Sequence, residues 1–173
     1  KANEKRGYRY SYDMLGEAAR TSADAKRYFE AYRKAIAAIG KVAAGRGPID
    51  APGISIKLSA LHPRYLFAQR ERVMAELVPQ LKALALEAKA ADIGLTVDAE
   101  EADRLDLSLD VIEAVSGDPA LAGWDGVGLA VQAYQKRALP LLDWLAEMAK
   151  RHKRRLMVRL VKGAYWDSEV KLA

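Results

Sequence analysis

The sequence predicts an α/β domain in which parallel strands are covered by helices. Apolar residues switch repeatedly along the chain between a spacing near two and a helical spacing. The helical stretches between the strand-like ones are long enough to serve as crossovers between parallel neighbours. With 173 residues, 51% hydrophobic and 29% charged, the chain suits one folded domain with a real core rather than a disordered segment.

The elements follow in order. Residues 9–15, RYSYDML, form a first strand of mixed polar and aromatic character. Residues 22–43 set Ala25, Phe29, Ala35, Ile36, Ile39 and Val42 close to helical spacing, with Ser22 as the expected N-cap. The Gly- and Pro-rich stretch 45–53 breaks the chain, and 54–59, ISIKLS, alternates as a strand does. Residues 64–92 read as helical, with Pro79 expected to kink the helix or divide it in two. A strand over 94–99, GLTVDA, leads to an amphipathic helix over 101–117 that Gly117 closes. A strand over 126–133, a helix over 137–152, a strand over 155–163 and a helix from near Ser168 complete the pattern.

Five β/α units admit either an open doubly wound sheet or a (β/α)₈ barrel. A dinucleotide fold is disfavoured, because no GxGxxG follows the first strand and the GVG at 126–128 opens a strand instead of closing one.

Composition narrows the chemistry. The chain has no cysteine, so disulfides and thiolate catalysis are excluded, and this fits a reducing compartment. No apolar run approaches the roughly 18–20 residues of a membrane helix, and the opening KANEKRGYRY lacks the apolar segment of a signal peptide. Net charge is +5, and the densest basic run, KRHKRR at 150–155, falls at a helix end, where cations offset the macrodipole. No aromatic residues interleave with it to stack bases, which argues against nucleic acid. His62 in LHPRY has no second ligand at metal spacing, so we expect a loop-structuring histidine and no metal. YQKR at 134–137 is expected to cap the loop into the next helix.

Four strands carry one strongly polar residue near their C-terminal ends: Lys57, Asp98, Gln132 and Arg159. Smaller or more polar positions share their face: Ser55 and Ser59 flank Lys57, Thr96 precedes Asp98, and Ala130 precedes Gln132. An isolated charge inside a strand is costly. In a barrel, though, the C-terminal strand ends gather at one mouth, where the βα loops build the site. Four such residues would form a charged cup on an apolar floor. The competing structural reading is an interior ion network that holds the fold together.

The motifs YSYDMLGEAA (10–19), ISIKLSALHPRY (54–65), TVDAEEADRL (96–105), GLAVQAYQKR (128–137) and MVRLVKGAYWDSEVK (157–171) closely resemble the proline dehydrogenase domain of bacterial bifunctional proline utilization A proteins, within the FAD-dependent proline dehydrogenase family. The resemblance covers nearly the whole chain. It implies a (β/α)₈ barrel that holds non-covalent FAD at its mouth, oxidises L-proline to Δ1-pyrroline-5-carboxylate as the first step of proline catabolism, and passes the electrons to a membrane quinone. It also implies a cytoplasmic parent protein, peripheral at the inner membrane face, with an aldehyde dehydrogenase domain elsewhere in its chain.

By the same resemblance, Asp98 and Arg159 are the catalytic residues, with Arg159 next to flavin N5, and Lys57 and Tyr165 bind substrate. Ala99, Gln132, Arg159, Lys162, Gly163, Ala164 and Trp166 are cofactor contacts, and Glu17 pairs with a gating arginine outside this chain. Bland readings stand beside these: Gln132 satisfying backbone groups at a strand end, Tyr165 and Trp166 as packing aromatics, Glu17 as a solvated carboxylate. Residues 1–173 supply five of the eight expected units, so we expect a fragment that needs the remaining three for FAD binding and turnover. Two other classes compete. One is a Schiff-base lyase on a barrel, with Lys57 or Lys162 as nucleophile and Asp98 as proton shuttle. The other is a basic binding module without catalysis.

Overall fold

The computed structural model describes residues 3–171. The elements are β1 (Ser11–Asp13), α1 (Ser22–Ala43), α2 (Gly47–Asp50), β2 (Gly53–Ile56), α3 (Leu58–Leu61), α4 (Arg70–Ala90), β3 (Leu95–Val97), α5 (Leu105–Ser116), β4 (Val127–Gln132), α6 (Ala138–Arg151), β5 (Met157–Val161) and α7 (Trp166–Glu169). All four strand pairings are parallel, and the spatial order β1-β2-β3-β4-β5 is the sequence order. A doubly wound sheet reverses its strand order at a switch point. None occurs among the described strands, so the open doubly wound alternative falls. What stands is a five-strand half-barrel with helices packed on one side.

The outer face of the sheet carries the apolar load. Ile54, Ile56, Leu95, Val97, Leu129 and Val131 are buried against Tyr32, Ile36, Leu77, Leu81, Leu84, Leu107, Val111 and Leu145 of the helices. Each fully buried aliphatic contributes about 1.5–3 kcal/mol, so this layer fixes which strand face looks at helices and which looks inward. On β5, Val158 and Leu160 occupy the same outer face and remain exposed.

Several local expectations are corrected. The N-cap of α1 is Thr21, not Ser22: the Thr21 hydroxyl accepts from Asp24 N and the Asp24 carboxylate accepts from Thr21 N, a complete capping box. Helix α4 begins at Arg70, not near residue 64, and runs as one helix through Pro79. The carbonyl that Pro79 leaves without its usual donor belongs to Ala75, and both residues are exposed, so water can take the lost bond. The strand expected over 54–59 ends at Ile56, and residues 58–61 turn into the short α3. Helix α7 starts at Trp166, ahead of Ser168. Gly117 does close α5, in an ordinary right-handed conformation. Arg137 occupies the N-cap position of α6 without a side-chain cap bond, and bonds Asp106 and the Ala102 carbonyl instead.

Candidate functional site at the strand C-termini

Register brings the polar residues level. Ile56 faces Val97, Val97 faces Leu129, and Ala130 faces Arg159. One residue beyond Ile56, Val97 and Leu129 come Lys57, Asp98 and Ala130. Lys57, Asp98, Ala130 and Arg159 therefore form one row across four strands, on the face opposite the helices. Gln132 lies one layer further toward the strand ends.

The charged members of the row are bonded to one another. Lys57 Nζ donates to Asp98 Oδ2 and to both carboxylate oxygens of Asp13, each at 3.1 Å. Arg159 Nη2 donates to Asp98 Oδ1, while Nη1 donates to Ser55 Oγ at 3.0 Å. Ser55 Oγ in turn meets Ser11 Oγ at 2.9 Å. Asp98 is thus held between two cations, with its side chain only 11% exposed against 17% for Lys57 and 39% for Arg159. Burial works against the Lys57 ammonium, but hydrogen bonds to Asp13 and Asp98, and their charges, outweigh it and hold its pKa above the ordinary lysine value. A Schiff-base nucleophile must be a neutral amine. Its surroundings favour the charged form of Lys57, which opposes the lyase reading. Beneath it, the Tyr32 hydroxyl accepts from Lys57 N at 3.1 Å, and burial pushes that phenol up to about 12.

Asp13, Lys57, Asp98 and Arg159 line an open cleft of about 590 Å³, together with Glu17, Ala99, Ala130, Gln132, Val161, Gly163, Ala164 and Tyr165. Of the residues the sequence singled out, Lys57, Asp98, Ala99, Gln132, Arg159, Gly163, Ala164 and Tyr165 meet there. Lys162 and Trp166 do not line it; both are exposed, with the Lys162 ammonium 6.0 Å from the Trp166 ring centroid. Glu17 lines the cleft as well. Tyr165 is pushed up to about 12 by burial and then by the carboxylates of Glu101, Glu17 and Glu100, so it stays a neutral phenol able to donate a hydrogen bond.

Gln132 is buried and acts as a strut. Its Nε2 donates to the Glu100 carbonyl at 2.9 Å, and its Oε1 accepts from Ala164 N at 3.2 Å. It therefore ties the loop after β3 to the loop after β5. The second loop turns at Gly163, whose φ of +131° suits glycine alone, and a Cβ there would lie 2.2 Å from the Tyr134 ring. A buried carboxylate supports this side: Glu100 Oε1 accepts from Ser59 N at 3.0 Å, and desolvation raises the Glu100 pKa despite that bond.

His62 is buried and structures its loop. Its Nδ1 accepts from Arg64 N at 3.1 Å while Nε2 meets Glu76 at 3.0 Å. In the basic run, Arg154 donates to the Leu121 and Asp118 carbonyls and Arg151 pairs with Glu113, so these cations serve packing. Among the described residues, no helix is long and apolar enough to cross a membrane.

The sequence missed Asp13, the second carboxylate on Lys57. The available signal was its place in the first strand, an acidic residue entering the same face as Ser55, but the flanking tyrosines hid the alternation. It also missed Ser55 as the partner of Arg159, and Glu100, for which no local pattern exists.

The profile of the family described as proline dehydrogenase matches residues 1–173. The bifunctional protein PutA of Salmonella typhimurium is 62% identical over 170 residues, covering 98% of this chain and 13% of that protein. Its Escherichia coli counterpart is 61% identical over the same share of each. The chain thus spans about an eighth of the length of these relatives. Among solved structures, a bifunctional proline utilization A protein superposes with a TM-score of 0.93 at 65% identity, covering 95% of this chain and 17% of that one. A mutant of proline utilization A from Bradyrhizobium japonicum gives 0.92 at the same identity and coverage.

Proposed function

The chain belongs to the proline dehydrogenase family, and from that premise we propose that it forms the substrate-facing part of a (β/α)₈ barrel that oxidises L-proline to Δ1-pyrroline-5-carboxylate with FAD, its electrons passing to a membrane quinone. The carrying observation is the Lys57–Asp98–Arg159 row at the floor of the cleft. In this reading residues 1–173 are one portion of a longer bifunctional chain that also holds an aldehyde dehydrogenase domain, and the parent is cytoplasmic and peripheral at the membrane.

The cleft suits a flavin. Its volume falls within the range of about 300–1,000 Å³ common for cofactor pockets. The small or apolar Ala130, Val161 and Gly163 leave a surface on which a planar ring system can rest. Arg159, Gln132, Ala99 and Ala164 also line the cleft and would meet a ring that carries acceptors and donors. When bound, FAD supplies the two-electron acceptor for a hydride leaving proline C5.

The chain's own residues prepare that transfer. Arg159 places a fixed positive charge where negative charge accumulates, and a partly dry site makes it count for more than in water. Lys57 offers an ammonium to the substrate carboxylate. Asp98 holds both cations at a fixed separation, balancing charges that would otherwise repel. Tyr165 presents a neutral hydroxyl at the rim. Lys162 and Trp166, outside the cleft, would serve a cofactor from the outer side of the loop that carries Gly163 and Ala164.

The decisive measurement is the visible spectrum of the full natural polypeptide carrying this chain, mixed with L-proline without oxygen. Bleaching of flavin absorbance with formation of the cyclic imine is expected; an unchanged spectrum overturns the reading. Substituting Arg159→Met should slow the bleaching by at least about 10-fold, and an unaltered rate would remove the role given to that arginine.

A further inference from the structure

We propose that Asp13 is a resident counter-ion for Lys57, filling the place of the substrate carboxylate until substrate displaces it; this rests on the function proposed above. An ammonium has three N–H donors. All three are engaged here: two on the oxygens of Asp13 and one on Asp98 Oδ2, each at 3.1 Å. A ligand carboxylate therefore reaches Lys57 only if one of the two resident carboxylates lets go.

The two are not equivalent. Asp98 also accepts from Arg159, and its side chain is 11% exposed, so releasing Lys57 there would disrupt a second pair in a poorly solvated place. Asp13 is 54% exposed and lines the cleft, so it is the better solvated of the two carboxylates and the easier to release. Its geometry on the ammonium, with two oxygens at equal distance, is the one an incoming carboxylate would adopt. Asp13 thus lowers the affinity of the site for anions while keeping the Lys57 ammonium charged and in place, and it screens the cleft against carboxylates too weakly held to compete.

A pair with one exposed partner is worth up to about 1 kcal/mol, so its removal should strengthen carboxylate binding by up to about 5-fold. The test compares the full natural polypeptide with its Asp13→Asn and Asp13→Glu variants. One arm is calorimetric titration with sodium acetate; the other is the steady-state KM for L-proline. The Asp13→Asn variant should show a lower Kd for acetate and a lower KM, with kcat moving by less than KM. The Asp13→Glu variant should return both toward wild type, and the difference should shrink as salt is added. A Kd for acetate equal to or above the wild-type value overturns the proposal, because a carboxylate that merely orients Lys57 for its ligand would weaken binding when lost. If the wild type itself fails to be reduced by proline, the proposed function fails instead, and the acetate arm still decides the role of Asp13.

Discussion

Asp98 at the end of β3 reaches Arg159 on β5 by passing over Ala130 of the intervening strand β4. The three residues stand level in the sheet, and the contact exists because the middle one ends at Cβ. Charge pairing at the floor of the cleft therefore depends on the size of a residue that carries no charge.

Enlarging that residue should separate the pair. Ala130 is nearly buried, with its methyl toward the cleft. The Ala130→Leu variant forces three further carbons between the carboxylate and the guanidinium, and overpacking of this kind costs about 1–3 kcal/mol. On the function proposed above, the variant should fold but bind less flavin per polypeptide, measured from the ratio of visible to ultraviolet absorbance. An unchanged ratio would show that the floor has room to spare.

Gly163 is a second position where one methyl group decides the outcome. Its φ of +131° and the 2.2 Å that would separate a Cβ from the Tyr134 ring act together. Strained backbone of this type costs about 1–3 kcal/mol, so Gly163→Ala should lower the unfolding temperature measurably. Adding Tyr134→Ala relieves the clash and leaves the strained φ. The double variant should recover only part of what calorimetry records as lost; full recovery would place the entire cost in the ring contact.

Much of this was legible in the sequence, and the boundary follows a physical line. Strand and helix types came through because the buried outer face repeats at every second residue and the helices at every third or fourth. The row of Lys57, Asp98 and Arg159 was foreshadowed because each is a strongly polar residue in an otherwise apolar strand segment, whereas their common level comes from the register of the strands. Local geometry was less accessible. Thr21 and Ser22 are both good caps, and only the reach of Asp24 back to Thr21 N selects between them. Contacts that join distant segments, such as Asp13 with Lys57 or Glu100 with Ser59, depend on register and leave no periodic trace.

The strut formed by Gln132 should be visible without any assay of turnover. Its side chain joins the Glu100 carbonyl to Ala164 N, so an isosteric apolar replacement leaves two backbone groups without those partners, at about 1–3 kcal/mol each where water cannot reach them. The Gln132→Leu variant should exchange the Ala164 amide hydrogen faster, and should be nicked sooner by protease in the loop after β5. Equal exchange at Ala164 would mean that the loop is held by Tyr134 and Gly163 alone.

Glu100 sets a pH dependence with a definite sign. Desolvation raises its pKa above the ordinary 4.5; the bonds from Ser59 and the charge of Arg104 oppose this without reversing it. A carboxyl group raised in the folded state contributes stability that is complete below its unfolded value and declines as pH climbs through the folded one. The Glu100→Gln variant keeps an oxygen able to accept from Ser59 N but has no charge to desolvate. Its unfolding temperature should therefore gain on the wild type as pH rises from about 4 to about 8, with the change concentrated above the ordinary glutamate value. A gap that stays flat, or that turns in favour of the wild type with rising pH, would mean that the Arg104 guanidinium, 3.7 Å from the carboxylate, compensates the lost hydration in full.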